Sequence, residues 1–190
     1  MSFSFPPVIL GSKSPRRQEL LTLLDLDFRV IARDVDESFP DTLDPQDVAP
    51  YIARKKAEAF ADIDTGQWVI TADTVVCIDK KILGKPTDAA DAYSMLKTLS
   101  GRMHEVYTGV CVRTAGGLTE FCERSEVYFR ALTDEQIRYY IANGNPLDKA
   151  GAYGIQEWIG LIAIEKIVGS YTNIVGLPTE RLFQVLLKSV

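Results

Sequence analysis

The chain has 190 residues, 46% of them hydrophobic and 25% charged, and carries a net charge of −5. This predicts one domain, 1–190, with a substantial core, and the acidic balance argues against nucleic acid as a partner. No apolar stretch is long enough to span a bilayer, Met1–Pro7 lacks the basic and apolar regions of a secretory signal, and the scattered Cys77, Cys111 and Cys122 read as reduced thiols, so no membrane association and a cytoplasmic location are expected.

Residues 7–10 read as a strand and 15–25 as a helix with Leu20, Leu21, Leu23 and Leu24 on its apolar side. Between them Ser14 suits an N-cap and Pro15 the first helical position. Arg16 and Arg17 then put positive charge where a helix dipole favours negative charge. That arrangement makes sense if an anion docks there: free N–H groups, the Ser12 and Ser14 hydroxyls and two guanidinium groups would form a phosphate cradle. Phe28–Arg33 reads as a second strand, 34–45 as an acidic turn region, and 46–63 as a long helix with Pro50 near its start. Trp68–Ala72 and Thr74–Ile78 are β-branched and read as strand. A turn at Asp79–Lys81 leads to a short strand ending at Gly84, and Asp88–Leu99 is a helix. Val106–Arg113 and Leu118–Phe129 alternate as a long hairpin around Gly116-Gly117. Thr133 caps a helix to Asn143, 150–156 is a glycine-containing loop, Leu161–Val168 reads as strand, and Pro178–Lys188 is the last helix. The interleaving predicts an α/β fold with a mixed, twisted sheet flanked by helices.

Some charged residues fall where apolar ones belong. Along 46–63 the inward stripe is Val48, Ile52, Lys56, Ala59, Phe60 and Ile63, which places Lys56 on the core side, as a snorkelling rim residue or a functional one. Asp73 interrupts a β-branched run, where an unpaired carboxylate is costly. It is a candidate for chemistry, and the adjacent Thr74 extends the polar spot. The lone histidine, His104, excludes a histidine-rich metal site and reads as structural, leaving a carboxylate as the general base. Gly84-Lys85-Pro86 and Glu37 are weaker signals alone. Small residues at 151–154 would let a ligand approach the backbone, with Gln156 placed to read a base edge.

Ser12–Arg17, Asp36-Glu37, Ala53–Ala57, Ala72–Val75, Gly84–Pro86, Leu99–Gly101, Asp148–Gln156 and Gly169–Pro178, in this order, resemble the Maf family of nucleotide pyrophosphatases over about residues 7–186. The resemblance implies an inosine-triphosphate-pyrophosphatase-like fold in which a single domain forms two lobes around a cleft. It also implies cleavage of a nucleoside triphosphate to monophosphate and pyrophosphate with a divalent metal, and a homodimer. Arg16, Thr74 and Tyr153–Gln156 resemble the type acting on dTTP and UTP. Alternatives are a pyrophosphatase for another non-standard nucleotide such as 7-methyl-GTP, or a nucleotide-sensing regulator of septum formation. Two departures stand out: Gly11 replaces a common alanine, and Glu157-Trp158 follows Gln156 where glycine is frequent.

The implied reaction needs a base, charge neutralisation on the leaving pyrophosphate, and oxygen ligands for Mg²⁺ or Mn²⁺. Asp73 is the candidate catalytic proton acceptor or metal ligand, with Glu37 as its partner in metal binding. Ser12, Arg16, Arg17, Lys56 and Lys85 are candidates for the phosphates. Arg16, Thr74 and Gln156 are candidates for base selection: a glutamine amide complements the N3–H and O4 that uracil and thymine share.

Overall fold

Val8–Leu10 (β1) is buried along its whole length and Trp68–Ile78 (β3) along most of it, as strands covered on both faces should be. The computed structural model describes residues 5–64 and 66–190. Residues 1–4, part of the segment read for a secretory signal, lie outside the described residues. The other strands are Phe28–Val30 (β2), Lys81–Leu83 (β4), Met103–Thr114 (β5), Gly117–Phe129 (β6) and Ile164–Val168 (β7). The helices are Pro15–Leu23 (α1), Pro45–Glu58 (α2), Ala89–Leu99 (α3), Asp134–Asn143 (α4), Trp158–Ala163 (α5), Tyr171–Val175 (α6) and Thr179–Lys188 (α7).

These strands form one mixed seven-stranded sheet in the order β2-β1-β3-β5-β6-β7, with β4 paired to the far end of β3. β2, β1 and β3 run parallel; every other pairing is antiparallel. Alternation along β3 divides the core. Ile70, Ala72, Val76 and Ile78 join the larger cluster with Leu20, Leu21, Leu96, Leu99, Ile137 and Leu182. On the opposite face Val75 and Cys77 meet Val48, Ala49 and Ile52 of α2, and Val69 meets Phe60.

Helix α2 lies directly on the sheet because Gly109 of β5 has no side chain. A Cβ there would sit 2.2 Å from Pro50 N and 2.3 Å from Ala49 C. Pro50 cannot donate to the carbonyl four residues back, and that Gln46 oxygen instead accepts from the Cys122 thiol at 3.4 Å.

Several boundaries differ from the sequence reading. β3 is continuous, so Asp73 lies within a strand and does not break it. α2 stops at Glu58 and gives way to turns, with Phe60 still buried. Leu23 is 73% exposed, so the apolar side of this segment is carried by Leu20 and Leu21, with Leu24 partly buried against the same core. β2 ends at Val30, and Arg33 leaves the sheet to stack on Phe60 and pair with Asp62. The segment read as strand from Leu161 is helix as far as Ala163. Gly160 permits this, since a Cβ would meet Ile155 O at 2.0 Å as α5 folds back on the preceding loop. No helix among the described residues is long and apolar enough to cross a membrane.

Candidate active site

One edge of β3 is bare at its centre. β1 pairs with it only as far as Ile70, and β4 only from Val76. The connections carrying α1 and α2 pack on opposite faces of the sheet, so a crevice opens at the carboxyl ends of β1 and β2, where ligands bind in open α/β sheets. A cavity of about 630 Å³ lies there. Its walls come from Gly11–Arg17 after β1, Ala32–Val35 and Glu37 after β2, Lys56 of α2, Asp73–Val76 of β3, Gly84-Lys85 after β4 and the loop around 148–155.

Asp73 faces α2. The Lys56 ammonium donates to Asp73 Oδ1 at 2.8 Å and pairs with Glu37 Oε1 at 2.8 Å. The Lys56 and Asp73 side chains are only 14% and 15% exposed, while Glu37 is half exposed. Partial burial pushes the Glu37 carboxyl up, but the Lys56 hydrogen bond and the charges of Lys56, Lys85 and Arg17 outweigh it and hold it below its ordinary value. Two carboxylate oxygens thus converge on one cation inside the cavity, drawn from three separate segments.

Thr74 points to the other face, toward α1. Its hydroxyl accepts from Arg17 Nη2 at 3.1 Å and shares a hydrogen bond of 2.9 Å with Thr108. Arg17 is 9% exposed and also donates to Ala72 O (2.7 Å), Gly176 O (2.8 Å) and Ser12 Oγ (3.3 Å). The bare stretch of β3 leaves Ala72 O without a strand partner, and Arg17 supplies the missing donor. Burial pushes the Arg17 guanidinium below its usual value, opposed by the Asp73 and Glu37 charges. Arg17 therefore closes the gap in the ladder while lining the cavity.

Arg16 lies at the rim and pairs with Asp148 at 3.4 Å. Ser14 occupies the N-cap of α1, with Pro15 next, but its side chain caps nothing; Ser12 Oγ instead accepts from Ser14 N at 3.2 Å. Lys85 lines the cavity and is exposed. Gln156 is exposed as well, and the cavity wall ends one residue earlier, at Ile155. Gly11 has a local reason: a Cβ would sit 2.7 Å from Thr71 Cγ2 and 3.0 Å from Phe60 Cε2.

The loop from Asp148 is tightly held. Ala152, fully buried, has φ 62° after Gly151 at φ 68°, and a left-handed alanine costs on the order of 1–3 kcal/mol. Gly151 N donates to Gly84 O at 3.0 Å, tying the loop to the end of β4. The Tyr153 hydroxyl and His104 Nε2 share a hydrogen bond of 2.8 Å, and both rings pack edge-on against Phe129. His104 is buried in this packing and reaches the cavity wall through Tyr153.

Sequence reasoning assigned no site role to Asp148, Lys149 or Gly176, which line the cavity. The adjacent opposite charges of Asp148-Lys149 before a glycine were the available signal. It passed over Asn173 too, which is fully buried and donates to Val106 O (3.1 Å) and Ser125 Oγ (2.9 Å), fastening α6 to β5 and β6. Among the described residues no group of three or more His, Cys, Asp or Glu could hold a metal ion.

A family model described as Maf-like protein matches residues 7–189. The chain belongs to this family. Among its relatives, a protein of Flavobacterium psychrophilum named dTTP/UTP pyrophosphatase is 48% identical over 186 residues, covering 97% of this chain and 95% of the relative. Proteins of the same name from Bacteroides thetaiotaomicron and Porphyromonas gingivalis are 48% and 49% identical over 183 residues each, covering 95% and 94% of this chain and 95% and 92% of theirs. Among solved structures, the Ham1 protein of Staphylococcus aureus superposes with a TM-score of 0.49 at 16% identity, covering 96% of this chain and 98% of its own.

Proposed function

We propose that the protein is a nucleoside triphosphate pyrophosphatase that cleaves dTTP and UTP between the α- and β-phosphates, in a cleft between two lobes. The observation that carries this reading is the Asp73–Lys56–Glu37 cluster within a cavity rimmed by Arg16 and Lys85, in a chain whose close relatives are named dTTP/UTP pyrophosphatase along almost their whole length.

Hydrolysis at the α-phosphate needs a water placed and deprotonated on one side and charge neutralised on the other. Asp73 Oδ1 sits on the α2 side, fixed by Lys56, and accepts the proton from water. Arg16, Lys85 and the free N–H groups of the first turn of α1 meet the triphosphate tail. Arg17, with four hydrogen bonds to the protein, stiffens the edge of β3 and adds positive charge from beneath. The all-oxygen pair Asp73 and Glu37, already gathered around one cation, fits a hard divalent ion such as Mg²⁺ or Mn²⁺, which typically uses one or two carboxylates plus phosphate oxygens. When bound, such an ion would neutralise charge on the phosphates. Thr74 with Arg16 and Gln156 governs the base.

Free cysteines, two of them buried, suit a reducing compartment such as the cytoplasm. Association as a homodimer belongs to the same proposal, and sedimentation equilibrium tests it. The activity itself is tested with a panel of dTTP, UTP, CTP, GTP and 7-methyl-GTP scored for pyrophosphate release. The reading predicts dTTP and UTP as the preferred substrates. Preference for 7-methyl-GTP would reassign the base pocket, and no release from any of them would overturn the enzymatic reading.

A further inference from the structure

The loop 148–157 lines the cavity with Tyr153, Gly154 and Ile155, yet its buried cation is directed at the loop itself. Lys149 is 5% exposed. An ammonium has three donors, and its nitrogen meets three protein acceptors: Asn145 O, Asp148 Oδ1 at 2.6 Å and Glu157 Oε1 at 2.7 Å. No donor is left for a phosphate, although the side chain borders the cavity. The second oxygen of Glu157 accepts from the Tyr140 hydroxyl, and that hydroxyl accepts from Gly154 N at 3.3 Å.

A chain of polar contacts, Lys149–Glu157–Tyr140–Gly154, therefore joins the two ends of the loop to its middle and to α4. The fit is close: a Cβ on Gly154 would sit 2.9 Å from both Glu157 Cδ and Lys149 Cε. The loop also contains the left-handed pair Gly151 and Ala152, a conformation that persists only where the surroundings impose it. Asp148 Oδ2 extends these contacts to Arg16 at the cavity rim. Glu157, one of the two departures from the family pattern, thus has a defined place.

We infer that Lys149 and Glu157 form a clamp that holds the 153–155 wall in one shape, and that they are positioning residues for nucleobase selection. The selection part rests on the nucleotide reading above. Both parts are tested in the full chain with Glu157→Gln, which keeps the side-chain shape and an acceptor for Tyr140 but removes the charge facing Lys149. Hydrogen exchange at the amides of 151–155 should speed up at least about tenfold while β5 amides stay protected. The ratio of kcat/KM for dTTP over CTP should fall about ten- to a hundredfold through a raised KM for dTTP, with its kcat near wild type.

A second variant, Lys149→Met with Glu157→Gln, leaves no unpaired buried charge and should show the same loosened loop even if the single variant folds poorly. Unchanged exchange at 151–155 overturns the clamp. An unchanged dTTP/CTP ratio, or a loss equal for all nucleotides, overturns the role in selection. If the wild type cleaves no nucleotide, the reading of the activity and the selection role fall together, while the exchange experiment still decides the clamp.

Discussion

Asp73 is presented to the cavity by a strand whose neighbours are β-branched, and Lys56 holds it at 2.8 Å. Asp73→Asn keeps the shape and a hydrogen-bond acceptor but loses the charge. Turnover should fall by at least about 10²-fold with the thermal midpoint close to wild type; a folded variant with normal turnover would move the base to Glu37. If the Gln156 amide pairs with the pyrimidine N3–H and O4, as the proposed function has it, Gln156→Glu removes the donor to O4. It should cost about 1–3 kcal/mol for dTTP and UTP, roughly ten- to a hundredfold in kcat/KM. CTP, whose amino group can donate to the new carboxylate, should lose less. A uniform decline across nucleotides would make Gln156 a brace for its loop. Lys56 and Asp73 stood out in the sequence because each is a charge on an otherwise apolar stripe. The partners of Arg17 were not legible, since Ala72 O and Gly176 O lie 55 and 159 residues away and are defined only by the folded sheet.

Among the elements, α2 carries Lys56, and its position depends on contact with β5. Gly109→Ala would drive a Cβ into Ala49 and Pro50, an overpacking that should cost about 1–3 kcal/mol and lower activity by displacing Lys56. An unchanged urea midpoint would contradict direct backbone packing at that point. Strong local signals marked most elements: the glycine pair beside the hairpin turn, which falls at Ala115-Gly116 with Gly117 already in β6, the Asp88 cap of α3, and the Thr133–Gln136 capping box of α4. The two short helices escaped. α6 has five residues and α5 six, too few turns to show a helical period, and α5 runs into β7 inside one apolar stretch. The gap in the edge of β3, which makes room for the cavity, is a property of register between distant strands and leaves no local trace.

For the whole molecule, acid sensitivity has an identifiable contributor. Burial pushes the His104 imidazole from 6.5 to about 3. As pH falls below 6.5 the unfolded chain takes up this proton and the folded chain does not, so stability declines toward pH 3, by on the order of a few kcal/mol at most, and is unaffected above 6.5. The thermal midpoint of His104→Gln should therefore change less between pH 7 and pH 4 than that of the wild type; parallel curves would remove His104 from the account. The proposed metal requirement predicts that turnover stops in excess chelator and returns with Mg²⁺ or Mn²⁺, and full turnover without either ion would contradict it.

The central claim is that this cavity, with Asp73 and Lys56 on one wall and cations at its rim, directs cleavage to the α-phosphate. Chromatography of the products formed from dTTP by the wild-type protein tests it most directly. Attack at the α-phosphate gives dTMP and pyrophosphate in equal amounts, whereas dTDP with orthophosphate would rule it out.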